Sequence, residues 1–357
     1  MTRARIMMVW VTALLLNASA PSPGRAPEAG EPRVVAFRAF TMGTWGSVTI
    51  VTADSASVAD AAFAALHAFH RVDSLMSNWT ETSEVSRINR EAAGGRAIAA
   101  NPEVVRVVDF AERVARESGG AFDATVEPLV RAWGFLGGTP RVPSQEEIDD
   151  ALARVGHQKV HVDTTAGTVR LDDGVRVDLG GVAKGYGVDE AAEELRRAGV
   201  ADALVDLSGN MAAIGNAPGH EGWTVGIRDP AGAVPYLARL RLRGECVATS
   251  GDYEQFVDKD GKRYGHILDP RTGYSARGLS SVTVVARDAM ACDAWATALF
   301  VLGPELAREL AQARDDLSVV LIEPHADGTA TVWVEESLMP RFQLVDEAKP
   351  TLTVRSF

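Results

Sequence analysis

Hydrophobic and polar positions along the chain separate into two periods. From Val34 to Val51 they alternate, with Val, Phe, Thr and Trp prominent and Gly43 and Gly46 interrupting, which predicts an opening hairpin. Between Ser57 and Met76, the apolar positions Val58, Ala62, Phe63, Leu66, Phe69, Val72 and Leu75 recur at helical spacing and predict one buried helix face. A second helix is punctuated at both ends. Asn101 stands as N-cap, Pro102 in the first turn, a stripe runs through Val104, Val105, Val108, Ala111 and Ala115, and Gly119 lies past the end. A third opens at Ser144 with Glu147 in capping-box register and stops near Gly156.

Strand patterns then dominate. Lys159–Asp163 and Thr168–Leu171 predict a hairpin, followed by a strand over Val175–Asp178 and, after Gly181, a helix to about Arg197 closed by Gly199. Ala203–Leu207, Trp223–Ile227, Leu237–Leu242, Cys246–Thr249 and Ser281–Ala286 read as further strands. A short, strongly apolar helix spans about Ala289–Leu302, another follows Pro304, and strands lie around Val319–Glu323, Thr331–Val334 and Thr351–Val354. So many hairpins point to an α/β chain of the α+β kind, with antiparallel or mixed sheets and packed helices, rather than a doubly wound parallel sheet. No Pro/Ser-rich or charge-block linker and no fixed-period repeat interrupts the chain, so residues 33–357 are expected to form a single compact domain.

The first residues follow a different rule. Arg3 and Arg5 precede an apolar run from Ile6 to Leu16 and the small residues Ala18, Ser19 and Ala20, a secretory signal pattern over residues 1–20 too short to span a bilayer comfortably. Pro21 would hinder cleavage after Ala20, so either the cut falls elsewhere or the segment stays as a membrane anchor. Residues 21–32, rich in Pro, Gly and Ala, read as a flexible spacer. The expectation is an exported protein, periplasmic or otherwise extracytoplasmic. It is not a lipoprotein, because no cysteine lies near the signal. Only Cys246 and Cys292 occur, which excludes a disulfide framework or a four-cysteine metal site.

With 46% hydrophobic residues the 357-residue chain can bury a sizeable core, and a net charge of −12 without a long basic run argues against nucleic acid as a partner. Bound phosphates would need help from a metal or from main-chain amides. The densest candidate chemistry lies in Val177-Asp178-Leu179-Gly180-Gly181-Val182-Ala183-Lys184-Gly185-Tyr186-Gly187-Val188-Asp189. There a strand end, a glycine pair and a helix start leave main-chain groups approachable. Lys184 sits in a first helical turn, where the dipole prefers anions, so a neighbouring phosphate would resolve the conflict; a plain turn with a surface lysine is the alternative.

A second segment, His266-Ile267-Leu268-Asp269-Pro270-Arg271-Thr272-Gly273, holds an imidazole, a carboxylate and a guanidinium. It is also a competent turn in which Asp269 caps its own backbone. In a third, Asp293 and Thr297 are four apart on an otherwise apolar helix and so project from one face. A carboxylate with a hydroxyl suits Mg²⁺, although an N-cap Asp and a Thr bonded back to a carbonyl would look the same. His67 and His70 lie three apart with no third ligand nearby, which favours packing over a metal. Thr41-Met42-Gly43-Thr44 and Met76-Ser77-Asn78-Trp79 could be core or turn, or could flank a flat ring system.

Taken in order, these segments resemble the ApbE family of FAD:protein FMN transferases. The resemblance runs over roughly residues 37–302 and also takes in Ser83-Glu84-Val85-Ser86-Arg87-Ile88-Asn89 and Gly120-Ala121-Phe122-Asp123. It implies that Met42, Trp79, Ala121, Phe122, Asp123, Asp178, Lys184 and Ile267 line a site for FAD as substrate. It also implies that Asp293, Thr297 and the carbonyl of Gly181 hold Mg²⁺. The implied reaction has a threonine of an acceptor protein attack the FMN-side phosphorus and expel AMP. His266 is the candidate general base, with Asp269 able to orient it and Arg271 able to stabilise charge. Mg²⁺-dependent hydrolysis of FAD to FMN and AMP, or FAD carriage without turnover, would use the same residues. The chain departs from the pattern at Trp79, where Tyr is more familiar, and at Ser208-Gly209-Asn210, where Gly-Gly-Asp-like text is.

Overall fold

The computed structural model describes residues 31–357 apart from Ala93; the signal pattern and nearly all of the spacer lie outside them. The opening alternation folds into the hairpin β1 (Arg33–Thr41) and β2 (Thr44–Thr52), whose two-residue turn places Met42 and Gly43 at φ 49° and 72°. Both values are left-handed, as this class of hairpin turn requires. Gly46 does not interrupt the strand. It sits within β2, where a Cβ would come within 2.8 Å of the Phe69 ring.

Seven further strands complete a nine-stranded sheet: β3 (Ala203–Leu207), β4 (Asn210–Ile214), β5 (Cys246–Gly251), β6 (Ser281–Ala286), β7 (Leu317–Pro324), β8 (Ala330–Val334) and β9 (Leu352–Ser356). Strands neighbour one another in strict chain order, every pair antiparallel except the last, β8 with β9, which is parallel. Only β1–β2, β3–β4 and β7–β8 are joined by short hairpin turns; the other neighbours are linked by longer segments that carry the helices and the smaller sheets.

Eight helices are described: α1 (Ala59–Met76), α2 (Glu84–Glu91), α3 (Pro102–Glu117), α4 (Glu127–Ala132), α5 (Gln145–Leu152), α6 (Ala183–Arg197), α7 (Ala289–Leu302) and α8 (Pro304–Gln312). Helix α3 starts behind Asn101, whose side chain accepts from Glu103 N–H, and α5 carries the full Ser144–Glu147 capping box. Both faces of the sheet are covered, which is why β6 is buried throughout. Val282 and Val284 join the core formed with the helices, while Val285 joins a second core beneath a three-stranded sheet of Trp223–Arg228, Tyr236–Leu242 and Phe342–Leu344. Among the described residues no helix is long and apolar enough to cross a membrane.

Val175–Asp178 is not a strand. Its main chain is held by side-chain amides instead: Asn89 donates to Val177 O (2.9 Å) and accepts from Val177 N–H (2.7 Å), and Asn78 donates to the same carbonyl (3.1 Å). The Asp178 N–H donates to Ala124 O. The amides supply what a neighbouring strand would, and leave the segment free to turn at Gly180.

Replacing Asn89 with Ala would strand a buried N–H and weaken the hold on its carbonyl. We expect a loss of about 2–3 kcal/mol of stability. Urea unfolding of the variant checks this; a midpoint equal to that of the unsubstituted protein would refute it.

Candidate active site

One end of the sheet and the helices beside it enclose a cavity of about 780 Å³. Its lining brings together Met42, Trp79, Ala121, Phe122, Asp123, Asp178, Gly181, Lys184, His266, Ile267, Asp293 and Thr297, which are spread over more than 250 positions of sequence. Asp269 and Arg271 do not line it, although Pro270 between them does.

The walls follow from the elements. Met42 is at the β1–β2 turn, where its N–H donates to Asp73 Oδ2 (3.1 Å) and ties the hairpin tip to the end of α1. Trp79, in the loop after α1, is 69% exposed and so presents its ring with little packing around it. Asp123 is buried, and both its oxygens hold main chain in place. Oδ1 accepts from the Thr125 N–H and hydroxyl, and Oδ2 from His157 N–H. Asp178 accepts from Gly180 N–H (2.8 Å), fixing the glycine turn, and burial raises its pKa.

Asp293 and Thr297 of α7 face the turn that opens α6. The Asp293 side chain is buried, its Oδ2 accepts from Gly185 N–H (2.9 Å), and burial raises its pKa while nearby Lys184 opposes the rise. The Thr297 hydroxyl lies 3.2 Å from Ser250 Oγ and 3.4 Å from Asp293 O. A Cβ added to Gly181 would stand 3.6 Å from that hydroxyl, so the glycine main chain approaches the pair closely. A carboxylate, a hydroxyl and an adjacent main chain are hard oxygen donors, and they suit Mg²⁺ better than a thiophilic metal. Among the described residues, no group of three or more His, Cys, Asp or Glu is placed to hold a metal; His67 and His70 stand only near each other, ring centroids 6.3 Å apart.

His266 is not paired with Asp269. Its Nδ1 lies 3.3 Å from Gln255 O, and a carbonyl only accepts, so Nδ1 carries the proton and Nε2 keeps its lone pair. Burial lowers its pKa from 6.5, partly offset by Glu254, so the ring is neutral at pH 7. Asp269 instead accepts from the Arg271 guanidinium (2.8 and 2.9 Å) and from Arg271 N–H, and closes the Asp-Pro-Arg-Thr-Gly turn. The local geometry wins because residues two apart in such a turn meet at no cost in chain entropy.

Sequence reasoning passed over Asp73, Asn78 and Asn210 as site residues. Asn78 Oδ1 and Asn210 Oδ1 are buried without a partner among the described residues, although both side chains line the cavity. Unpaired buried carbonyls of this kind point to a polar ligand. Polar residues just after a helix or a hairpin turn were the available signal. Cys246 and Cys292 are free and buried, which matches a packing role.

Residues 42–321 match the ApbE family. A FAD:protein FMN transferase of Klebsiella pneumoniae (strain 342) is 36% identical over 241 residues, covering 66% of this chain and 74% of that protein. Another, from Haemophilus influenzae, is 34% identical over 255 residues, covering 69% and 73%. Among solved structures, the ApbE protein of Thermotoga maritima superposes with a TM-score of 0.78 at 33% identity, over 87% of this chain and 99% of that one. The flavin transferase ApbE of Vibrio cholerae gives a TM-score of 0.78 at 29% identity, with the same coverage.

Behind Asp123, Glu112 of α3 is buried with Oε2 3.5 Å from His157 Nδ1 and Oε1 unpaired among the described residues. Burial, then repulsion from Asp123, pushes its pKa from 4.5 up to about 8. A pKa raised by folding means stability that is complete below pH 4.5 and is lost as pH climbs through about 8. This one group costs at most about 1.4 kcal/mol per pH unit in that window. Glu112→Gln should flatten the decline, measured by urea unfolding at about pH 5 and about pH 8.5. Parallel declines in both proteins would exclude the role.

Proposed function

The chain belongs to the ApbE family, and from that premise we propose that it is a Mg²⁺-dependent FAD:protein FMN transferase acting on a threonine hydroxyl of an acceptor protein. The observation that carries this reading is a single cavity in which Lys184, the Asp293–Thr297 pair, the Gly181 turn and His266 converge. A cation alone would suit many phosphate binders; a cation site facing a neutral imidazole suits transfer of a phosphoryl-type group to a hydroxyl.

FAD enters with its flat flavin ring against Met42 and Trp79, whose thioether and indole suit a π-face. Lys184 meets the diphosphate, and Asp293, Thr297 and the Gly181 carbonyl would hold Mg²⁺ beside it. The ion supplies charge neutralisation on the diphosphate. His266 Nε2 takes the proton of the threonine hydroxyl while its Nδ1–H stays bonded to Gln255 O. The threonine oxygen bonds to the FMN-side phosphorus, the bond from that phosphorus to the bridging oxygen breaks, and AMP leaves with that oxygen. Asp178 and Asp123 keep the two walls in position through their bonds to Gly180, Thr125 and His157. The N-terminal export pattern puts the acceptor outside the cytoplasm in this reading.

Incubation with FAD, Mg²⁺ and an acceptor domain should release AMP and add the mass of FMN to the acceptor. AMP with an unchanged acceptor mass would mean hydrolysis, and neither product would reject the proposal. Asp293→Ala should lower AMP release by about 100-fold or more, whereas a rate within twofold would argue for a carrier without this metal site.

His266→Gln should slow transfer by about 100-fold. Because the base works unprotonated, the rate of the unsubstituted protein should fall as pH drops below a pKa that lies under 6.5. The variant should lack this acid limb; a limb of the same shape in both proteins would assign the proton to another group.

A further inference from the structure

Helices α6 and α7 are joined at two levels. Gly185 N–H of α6 donates to Asp293 Oδ2 of α7 (2.9 Å). One turn further along α6, Asp189 accepts from the first two residues of α7: Ala289 N–H at Oδ1 (2.7 Å) and Met290 N–H at Oδ2 (2.9 Å). Gly185 and Asp189 are four apart on one helix, and Ala289 and Asp293 four apart on the other, so the two contacts are successive rungs between the same two faces.

Two features make the second rung more than an ordinary cap. Asp288 precedes α7 and has the right side chain for an N-cap, yet it makes no capping hydrogen bond. The first turn is therefore satisfied from another helix. The helices also touch without a cushion, since a Cβ on Gly185 would lie 2.2 Å from Ala289 O and 2.8 Å from Asp293 Cβ. A small slide of α7 would therefore move the Asp293 carboxylate along the α6 turn, with no flexible side chain to absorb it.

We propose that Asp189 is a positioning residue: by capping α7 from α6 it sets the register of the two helices and so holds Asp293 and Thr297 opposite Gly181. Asp189 does not line the cavity, so it acts on the site through the elements it joins, above all through the start of α7 that it caps. A carboxylate suits the task because two N–H groups at the positive end of a helix need two acceptor oxygens, where an asparagine offers one. The inference rests on the reading of Asp293 and Thr297 as Mg²⁺ ligands.

Gly185 gives a reporter independent of that reading. Its N–H lies in the first turn of α6, has no partner within its own helix, and is shielded by Asp293. In the full chain, Asp189→Ala should speed exchange of the Gly185 amide by about tenfold or more, and Asp189→Asn by less. The half-saturating Mg²⁺ concentration for FAD binding, followed by flavin fluorescence without acceptor, should rise by a similar factor. FAD binding without Mg²⁺ should stay within about twofold, as expected for a residue outside the cavity.

Unchanged Gly185 exchange in a folded variant whose Ala289 and Met290 amides have lost protection would overturn the proposal, because the cap would then act only locally. If FAD binding by the unsubstituted protein ignores Mg²⁺, the metal reading falls instead, and Gly185 exchange still decides whether Asp189 fixes Asp293. Should Asp189→Ala fail to fold, Asp189→Asn carries the same comparison.

Discussion

The site depends on one close contact, the crossing of α6 and α7 at Gly185. A buried carboxylate costs several kcal/mol in lost hydration unless it is paired or hydrogen-bonded. Asp293 is compensated by the Gly185 amide and by the charge of Lys184. Only a residue without a side chain lets the amide reach, because any Cβ at position 185 would run into the main chain at Ala289. The glycine thus sets the helix separation, the separation puts the carboxylate on the cavity wall, and the glycine turn before α6 comes to lie beside Thr297.

The same wall explains why the run before α6 is extended but unpaired. Had Val175–Asp178 joined a sheet, its N–H and carbonyl groups would have been committed to a neighbour on each side, and the chain could not have peeled away at Gly180. Asn89 and Asn78 satisfy Val177 with side chains that stop there. The segment is pinned at Val177 and Asp178 and is free to turn two residues later, at Gly180. Rigidity at Val177 and accessibility at Gly181 are two results of one substitution of amides for a strand.

Most of the fold was legible because its signals are local. Asn101-Pro102, Ser144 with Glu147, and the uninterrupted apolar text of Ala289–Leu302 each state a boundary or a burial in the residues themselves. Asp293 and Thr297 stood out for the same reason, as polar residues on one face of an apolar helix. Partnerships across long sequence distances were not legible. Nothing near Val177 signals that Asn89 will replace its strand partner, and the β-like composition of Val-Arg-Val-Asp argues for a ladder that never forms. The His266 loop failed differently. Its residues permit two pairings of Asp269, and the one between neighbours in a turn forms, leaving the imidazole to Gln255.

Charge decides what kind of ligand this cavity can hold. Its lining contains the carboxylates of Asp73, Asp123, Asp178, Glu254 and Asp293 against a single lysine, Lys184. A diphosphate entering such a lining would be repelled if each carboxylate kept a full, unshared charge. Three of them are otherwise engaged. Asp123 is saturated by N–H and hydroxyl donors, Asp73 holds Met42, and Asp178 is spent on Gly180 and raised in pKa by burial. Asp293 is the one that faces the Gly181 turn and Thr297; Gly185 occupies one of its oxygens and Lys184 offsets part of its charge, and the rest would stand beside any phosphates that enter. In the proposed function, a divalent cation between the carboxylate and the phosphates would turn that repulsion into attraction on both sides, so in a chain this acidic it would serve binding of the substrate as well as its reaction.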